Sequence, residues 1–359
     1  MISEGLIGIL VTVAHRRRMP IPSLALPNDT DRALKNVSVP PALRPWPLAI
    51  AMALTGVSPA LALWKPDHIV IVIEENHSYD QILGSGRNDA PYISQLATQG
   101  VNFTNSHAEH HPSQPNYLEL FSGSAQGVTD DSRPGKLPFN TPNLGAELRA
   151  GNAVGERFTF IGYSESMPGE FGFDGDAYST VHGQGQYVRK HNPWVNWQSD
   201  DAPANNHLQA SINKAFESWS ISVDRSFSEL PTVSFVIPNE VNDMHDGMTG
   251  TDPERITTAD TWLKDHLDAY IQWARTHNSL FILTWDENDP ETAQADTNRP
   301  VPEQNQIPTI MVGSRLKPGT TDNERITHHN VLRTIEDMYG LAHAGNTANV
   351  LPITSPFLR

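Results

Sequence analysis

The chain of 359 residues contains no cysteine. That excludes disulfide scaffolds, thiolate nucleophiles, cysteine zinc sites and iron–sulfur clusters. It leaves the compartment open, since an exported protein can do without disulfides. Basic residues are scarce, 25 Lys and Arg against 41 Asp and Glu, for a net charge of −16. An overall basic field for nucleic acid is therefore excluded, and only a local patch stays open. Long hydrophobic runs are also few. The main one, residues 46–62 (WPLAIAMALTGVSPALA), is short for a membrane span and is interrupted by Pro47, Gly56 and Pro59. Arg44 precedes it, and Ala60-Leu61-Ala62 closes it with the small-x-small pattern that an export peptidase cuts. The expectation is a leader and signal peptide over 1–62 and a single domain over 63–359. No stable membrane span remains after signal removal, and the protein is exported to the periplasm or secreted.

The remainder has ordinary core-forming content, with 38% hydrophobic and 8% aromatic residues, enough to bury a large core. Several short runs are apolar throughout, as strands covered on both faces are. They are 68–73 (HIVIVI), 158–161, 233–237 (VSFVI), 280–283 (LFIL) and 307–312 (IPTIMV). Helical spacing appears over 260–276 and 329–340, and Gly340 fits a helix stop. Strands alternating with helices predict an α/β fold: a central, mostly parallel sheet flanked by helices on both faces. Residues 163–206 lack periodicity and are rich in Gly, Ser, Asp, Asn and aromatics, which suggests an excursion over the functional face.

In open parallel sheets, ligands bind beyond the carboxyl ends of the strands. After 68–73 comes Glu74-Glu75-Asn76-His77, and after 280–283 comes Thr284-Trp285-Asp286-Glu287-Asn288-Asp289. After 233–237 comes Pro238-Asn239-Glu240, then Asn242-Asp243-Met244-His245-Asp246. Clustered carboxylates repel one another and are costly to desolvate, and a cation relieves both problems. Glu75, Asn76, Asp286 and Glu287 are hard oxygen donors suited to a divalent metal ion such as Mg, Ca or Mn, while nearby histidines keep Zn or Fe open. Acidic loop ends facing water are the plain alternative.

Ser113 precedes Pro115, and Tyr117, Leu120 and Phe121 follow at helical spacing. A serine there is first of all a helix cap. Its functional role is a metal-activated nucleophile, also a metal ligand, with the helix end holding a phosphoryl group. His77, His110, His111, His191 and His245 lie in polar stretches and could neutralise phosphate oxygens, protonate a leaving group or bind a second metal. Lys190 belongs to the basic island 189–193 (RKHNP), either a solvated turn or a lip that steers anions. A different class is a secreted, non-catalytic binding module that grips a sugar with Tyr187, Trp194 and Trp197.

The strings IVIVIEENHSYDQI, APYISQLATQG and NFTNSHAEHHPSQPNYLELFSGSAQGVTDDS, continued in order by YVRKHNPWVNW, PNEVNDMHDG, LFILTWDENDP and THHNVLRTIEDMYGL, span roughly 66–345. Together they resemble the phosphoesterase family, which includes bacterial and fungal acid phosphatases and related phospholipases C. The resemblance implies an alkaline-phosphatase-like fold. It implies metal ligation by Glu75, Asn76, Ser113, Asp286 and Glu287, with Ser113 as the nucleophile. It also implies that His191 and His245 contact the phosphoryl group and that Asn116 contacts substrate oxygens; His111 and Lys190 complete the candidate substrate-binding set. The large extra segments of the phospholipase C relatives are missing, which points to a small phosphate ester, a monoester before a diester or lipid headgroup.

Overall fold

In the computed structural model, residues 64–85, 87–175, 187–219, 227–246, 250–289 and 304–358 are described. The chain divides into two units, Met1–Val57 and Ser58–Arg359, and every described residue belongs to the second. The leader and cleavage site expected over 1–62 lie outside the described residues.

The apolar runs do form strands: β1 (His68–Glu74), β3 (Phe160–Ser164), β5 (Val233–Ile237), β6 (Ser279–Trp285) and β7 (Gln306–Gly313). Four more join them: β2 (Val101–His107), β4 (Asn213–Ala215), β8 (Thr320–Asp322) and β9 (Ile326–Thr327). One sheet results, in the order β4-β3-β5-β1-β6-β7-β2-β8, with β9 also paired to β2. Only β7 runs against the others, antiparallel to both β6 and β2. Strand β2 escapes a search for continuous apolar runs because its first half alternates, burying Val101 and Phe103 between half-exposed Asn102 and Thr104.

Alternation along β1 explains the layers. Ile69, Ile71 and Ile73 pack on one face against α2 (Ser113–Ser122), α3 (Leu144–Ala150) and α5 (His328–Tyr339). Val70 and Val72 pack on the other against α1 (Pro91–Gln99) and α4 (Asp252–Ala274). With both faces covered, continuous apolar strands are the stable choice. Helix α4 starts eight residues before the expected 260, at Asp252, since its first turn carries Pro253 and acidic residues that suit a helix start without contributing to the apolar stripe. Gly340 stops α5 in the left-handed conformation, as its position implied.

Trp194 and Trp197 are fully buried, packed around Phe121 with ring centroids 6.5 and 5.6 Å away, and Tyr187 is buried as well. Gly162 on β3 makes this possible, for a Cβ there would stand 2.1 Å from the Trp194 ring. The three aromatics therefore fill core rather than present a sugar-gripping surface, which removes the basis for the binding-module reading. Among the described residues, no helix is long and apolar enough to cross a membrane.

Candidate active site

Strand β1 lies between β5 and β6, parallel to both. Their carboxyl ends therefore open at one edge and bring together segments 74–77, 238–246 and 286–289. Strand β2 ends at the same edge and leads through residues 108–112 to α2. Glu75 has the parity of Ile69, Ile71 and Ile73 and faces α2. Glu74 is buried with neither oxygen hydrogen-bonded, and its pKa is pushed well up, by burial first and then by Asp260, Glu165 and Glu75.

Ser113 is the first residue of α2, and its side chain does not cap the helix. Its hydroxyl donates instead to Glu75 Oε2 at 3.1 Å and lies 3.4 Å from Glu287 Oε1. Glu75 Oε1 accepts from the Tyr117 hydroxyl and is 3.1 Å from His191 Nε2. Asp286 Oδ1 accepts the Asn76 N–H at 3.1 Å. Asn76 takes φ +50°, a left-handed conformation that is sparsely populated by non-glycine residues and recurs at functional sites. Glu287 Oε2 lies 2.5 Å from His111 Nδ1. The Ser113 hydroxyl thus meets Glu75 and Glu287, and His191, His111 and the Asn76–Asp286 pair adjoin those carboxylates at the same edge.

Burial raises Asp286 well above the ordinary carboxylate range, helped by Glu75 and Glu287. It raises Glu75 to about 7 against the opposing charges of Lys190 and His245. His191 is driven down by burial and then by Lys190 and His245, so it is a neutral ring beside Glu75. It stacks on Tyr117 at 5.0 Å, and its Nδ1 is 3.5 Å from Asp243 Oδ2. His245 is reached through Met244, whose φ of +81° turns Asp243 inward, and the Asp243 carboxylate accepts the His245 N–H at 2.9 Å. Burial opposes protonation of His245, but its 3.0 Å bond to Asp246 and the charge of Glu75 outweigh it and raise its pKa.

Two buried oxygens here, Asn76 Oδ1 and Asp286 Oδ2, have no hydrogen-bond partner. With Glu75, Ser113 and Glu287 they form a set of hard oxygen donors that fits a divalent cation. Glu75, His191 and Asp243 form a further buried group whose ligand atoms lie within 4.8 Å of one another, as do those of Glu240, His245 and Asp246.

Three expectations change. The Gln114 N–H at the α2 start donates to Asp131 Oδ1 at 3.0 Å, so that part of the helix end is already occupied by a carboxylate. The Asn116 amide is committed to backbone: Oδ1 accepts from the N–H groups of Glu109 and His110, and Nδ2 donates to the His110 carbonyl. Asn116 is a brace for the turn before the serine rather than a free donor for substrate. In the basic island, Arg189 is buried and donates to Asn196 Oδ1 at 2.8 Å, while His191 enters the site as a neutral ring and Lys190 brings the positive charge, 3.2 Å from Asp131 Oδ2. Burial works against the Lys190 charge, but Glu75 and Asp131 raise its pKa on balance. Tyr117 and Asp131 were not assigned a site role in the sequence, and Asp243 was named there only as one member of the cluster that follows residues 233–237. Tyr117 shows there only as an apolar helix position, and no spacing signal marks Asp131.

The phosphoesterase family model matches residues 85–342. A phosphatidylinositol-3-phosphatase from Mycobacterium tuberculosis is 41% identical over 80% of this chain and 81% of its own. A probable acid phosphatase from Kluyveromyces lactis is 30% identical over 79% of this chain and 62% of its own. A solved structure of a protein in the alkaline phosphatase superfamily from Vibrio parahaemolyticus, 12% identical, superposes with a TM-score of 0.52 over 80% of this chain and 71% of that one. Its mostly parallel sheet and flanking helices are those of that superfamily, and the chain belongs to the phosphoesterase family as a hydrolase of phosphoric esters.

Proposed function

We propose that the chain is a metal-dependent, acid-phosphatase-like phosphomonoesterase whose nucleophile is Ser113. The observation that carries this reading is the direction of the serine. Its hydroxyl turns away from its own helix toward Glu75 and Glu287, carboxylates from two adjacent parallel strands. Glu75, Asn76, Ser113, Asp286 and Glu287 would hold the metal. A divalent cation bound by them supplies positive charge that favours the serine alkoxide and offsets charge growing on the phosphoryl oxygens.

The chain's own residues account for the other steps. Ser113 Oγ forms a bond to phosphorus as the bond to the leaving oxygen breaks in line with it. Its proton passes to the carboxylate it already faces. Lys190, backed by Asp131, and His245, held by Asp246, bring positive charge to the phosphoryl oxygens, and His245 protonates the leaving oxygen. His111, against Glu287, lines the same mouth. Water then attacks the phosphoserine, His245, neutral after protonating the leaving oxygen, takes the proton from that water, and Ser113 recovers its proton from Glu75 as the serine–phosphorus bond breaks and phosphate is released, with neutral His191 holding Glu75 in place. The relatives' names, a phosphatidylinositol-3-phosphatase and acid phosphatases, favour a monoester.

Ser113→Ala is expected to lower kcat on p-nitrophenyl phosphate by roughly a thousandfold or more while the circular dichroism spectrum is kept. Elemental analysis is expected to find a divalent metal that Asp286→Asn loses. The bis-ester should turn over more slowly than the monoester. Normal turnover by Ser113→Ala, or full activity in demonstrably metal-free protein, contradicts the reading.

A further inference from the structure

Outside the set just described lies a second assembly of acids and histidines, built from the segment before Ser113, from α2 and from the start of α5. Glu109 Oε2 is 2.9 Å from His328 Nδ1, and Glu109 Oε1 is 3.4 Å from His329 Nδ1 and accepts the His329 N–H at 3.3 Å. His328 Nε2 donates to the Trp285 carbonyl at 2.8 Å. His329 Nε2 lies 2.6 Å from Glu119 Oε2, whose other oxygen takes His110 Nε2 at 3.0 Å. Bases and acids thus alternate from Trp285, the residue before Asp286, to His110, three residues before Ser113. Glu119 and His328 are buried, and the Glu109 side chain is 9% exposed.

The placement runs against helix stability. His328 and His329 open α5, where the helix dipole disfavours positive charge. Burial opposes protonation of His329, but its bond to Glu119 Oε2 and the charge of Glu109 outweigh it and raise its pKa. Burial would raise Glu109, but His328 foremost brings it down to about 2, so this carboxylate stays charged. Charges at the unfavourable end of a helix, compensated one by one, suit a part whose task is placement.

We propose that Glu109 and His328 are positioning residues that set the separation between the Ser113 segment and the Asp286–Glu287 strand end, and thereby the affinity of that oxygen set for its cation. The assignment rests on Ser113 and the metal forming the reaction centre. The test compares full-length wild type, Glu109→Gln, His328→Asn and Ser113→Ala. Each is assayed for kcat and KM on p-nitrophenyl phosphate, for Mn²⁺ affinity by calorimetric titration of metal-stripped protein, and for thermal midpoint.

Glu109→Gln and His328→Asn are expected to weaken Mn²⁺ binding and lower kcat by about 10–100-fold at saturating Mn²⁺, with KM changed little. Those losses are expected to persist well below the melting temperature of each folded variant. Folded variants with wild-type Mn²⁺ affinity and kcat, alongside an inactive Ser113→Ala, overturn the positioning role alone. An active Ser113→Ala overturns the reading of the reaction centre, and this role with it. Losses that vanish on cooling would show a merely structural contribution and also overturn it.

Discussion

Asn116 shows how much one buried side chain decides here. Its Nδ2 donates to the His110 carbonyl, which Asn305 Nδ2 also serves at 2.6 Å, and its Oδ1 accepts from two N–H groups of the turn entering α2, those of Glu109 and His110. Asn116→Ala leaves those groups short of partners, at about 1–3 kcal/mol for a buried polar group, and loosens the approach to Ser113. The variant is expected to unfold at lower denaturant and to lose kcat more than it gains KM; an unchanged denaturation midpoint would refute the bracing role. The residues that gather around Ser113 were legible because chemistry follows strand ends: Glu75, Asn76, Asp286 and Glu287 each come directly after a buried apolar run. The duties of Asn116 and Arg189 were not. Polar side chains choose partners from loops that no periodicity describes, so an amide after a serine reads equally as ligand or brace. Trp194 and Trp197 failed differently, since a tryptophan in a Gly-rich stretch carries no mark of burial until Gly162 is found opposite it.

Between elements, helices α3 and α5 share a pair of buried acids. Burial, then Glu336, pushes Glu147 up to about 9, and burial foremost pushes Glu336 up to about 7. In the unfolded chain both titrate near the ordinary glutamate value. From there up to the folded-state values, the native protein keeps protons that the unfolded chain has released, so stability falls as pH rises through that window and levels off beyond it. Glu147→Gln removes one such group. It is expected to raise the denaturation midpoint at pH 8 above wild type, with the gain shrinking toward pH 5. A variant no more stable than wild type at pH 8 would show that Glu147 ionises freely in the fold. Elements were the most readable level of this chain. Runs apolar throughout became strands of a sheet covered on both sides, and the spacing over 329–340 became α5. What stayed hidden was β2, whose alternation dilutes its apolar signal, and the reversed direction of β7, since an apolar run has the same composition whichever way it points. The α5 histidines were likewise unreadable as a network, because their acidic partners sit in the segment between β2 and α2 and on α2 itself.

Across the whole molecule, the net charge of −16 makes the edge where β1, β5 and β6 end a costly place to gather acids. A cation that binds the folded chain and not the unfolded one stabilises it by mass action. Exhaustive chelation at neutral pH is therefore expected to lower the thermal midpoint, and Mn²⁺ at a hundredfold its Kd to restore about 2.7 kcal/mol. A midpoint indifferent to chelator and Mn²⁺ would mean that the acids are accommodated by protonation alone. The fold, the family and the phosphoric ester chemistry agree with one another, and the step proposed to join them is attack by the Ser113 hydroxyl. Rapid acid quench of the enzyme turning over p-nitrophenyl phosphate, followed by peptide mapping by mass spectrometry, observes that step. The peptide holding residue 113 should carry one phosphoryl group on Ser113; a fully active enzyme with that peptide unmodified at every quench time, and the phosphoryl group on another residue, would contradict the account.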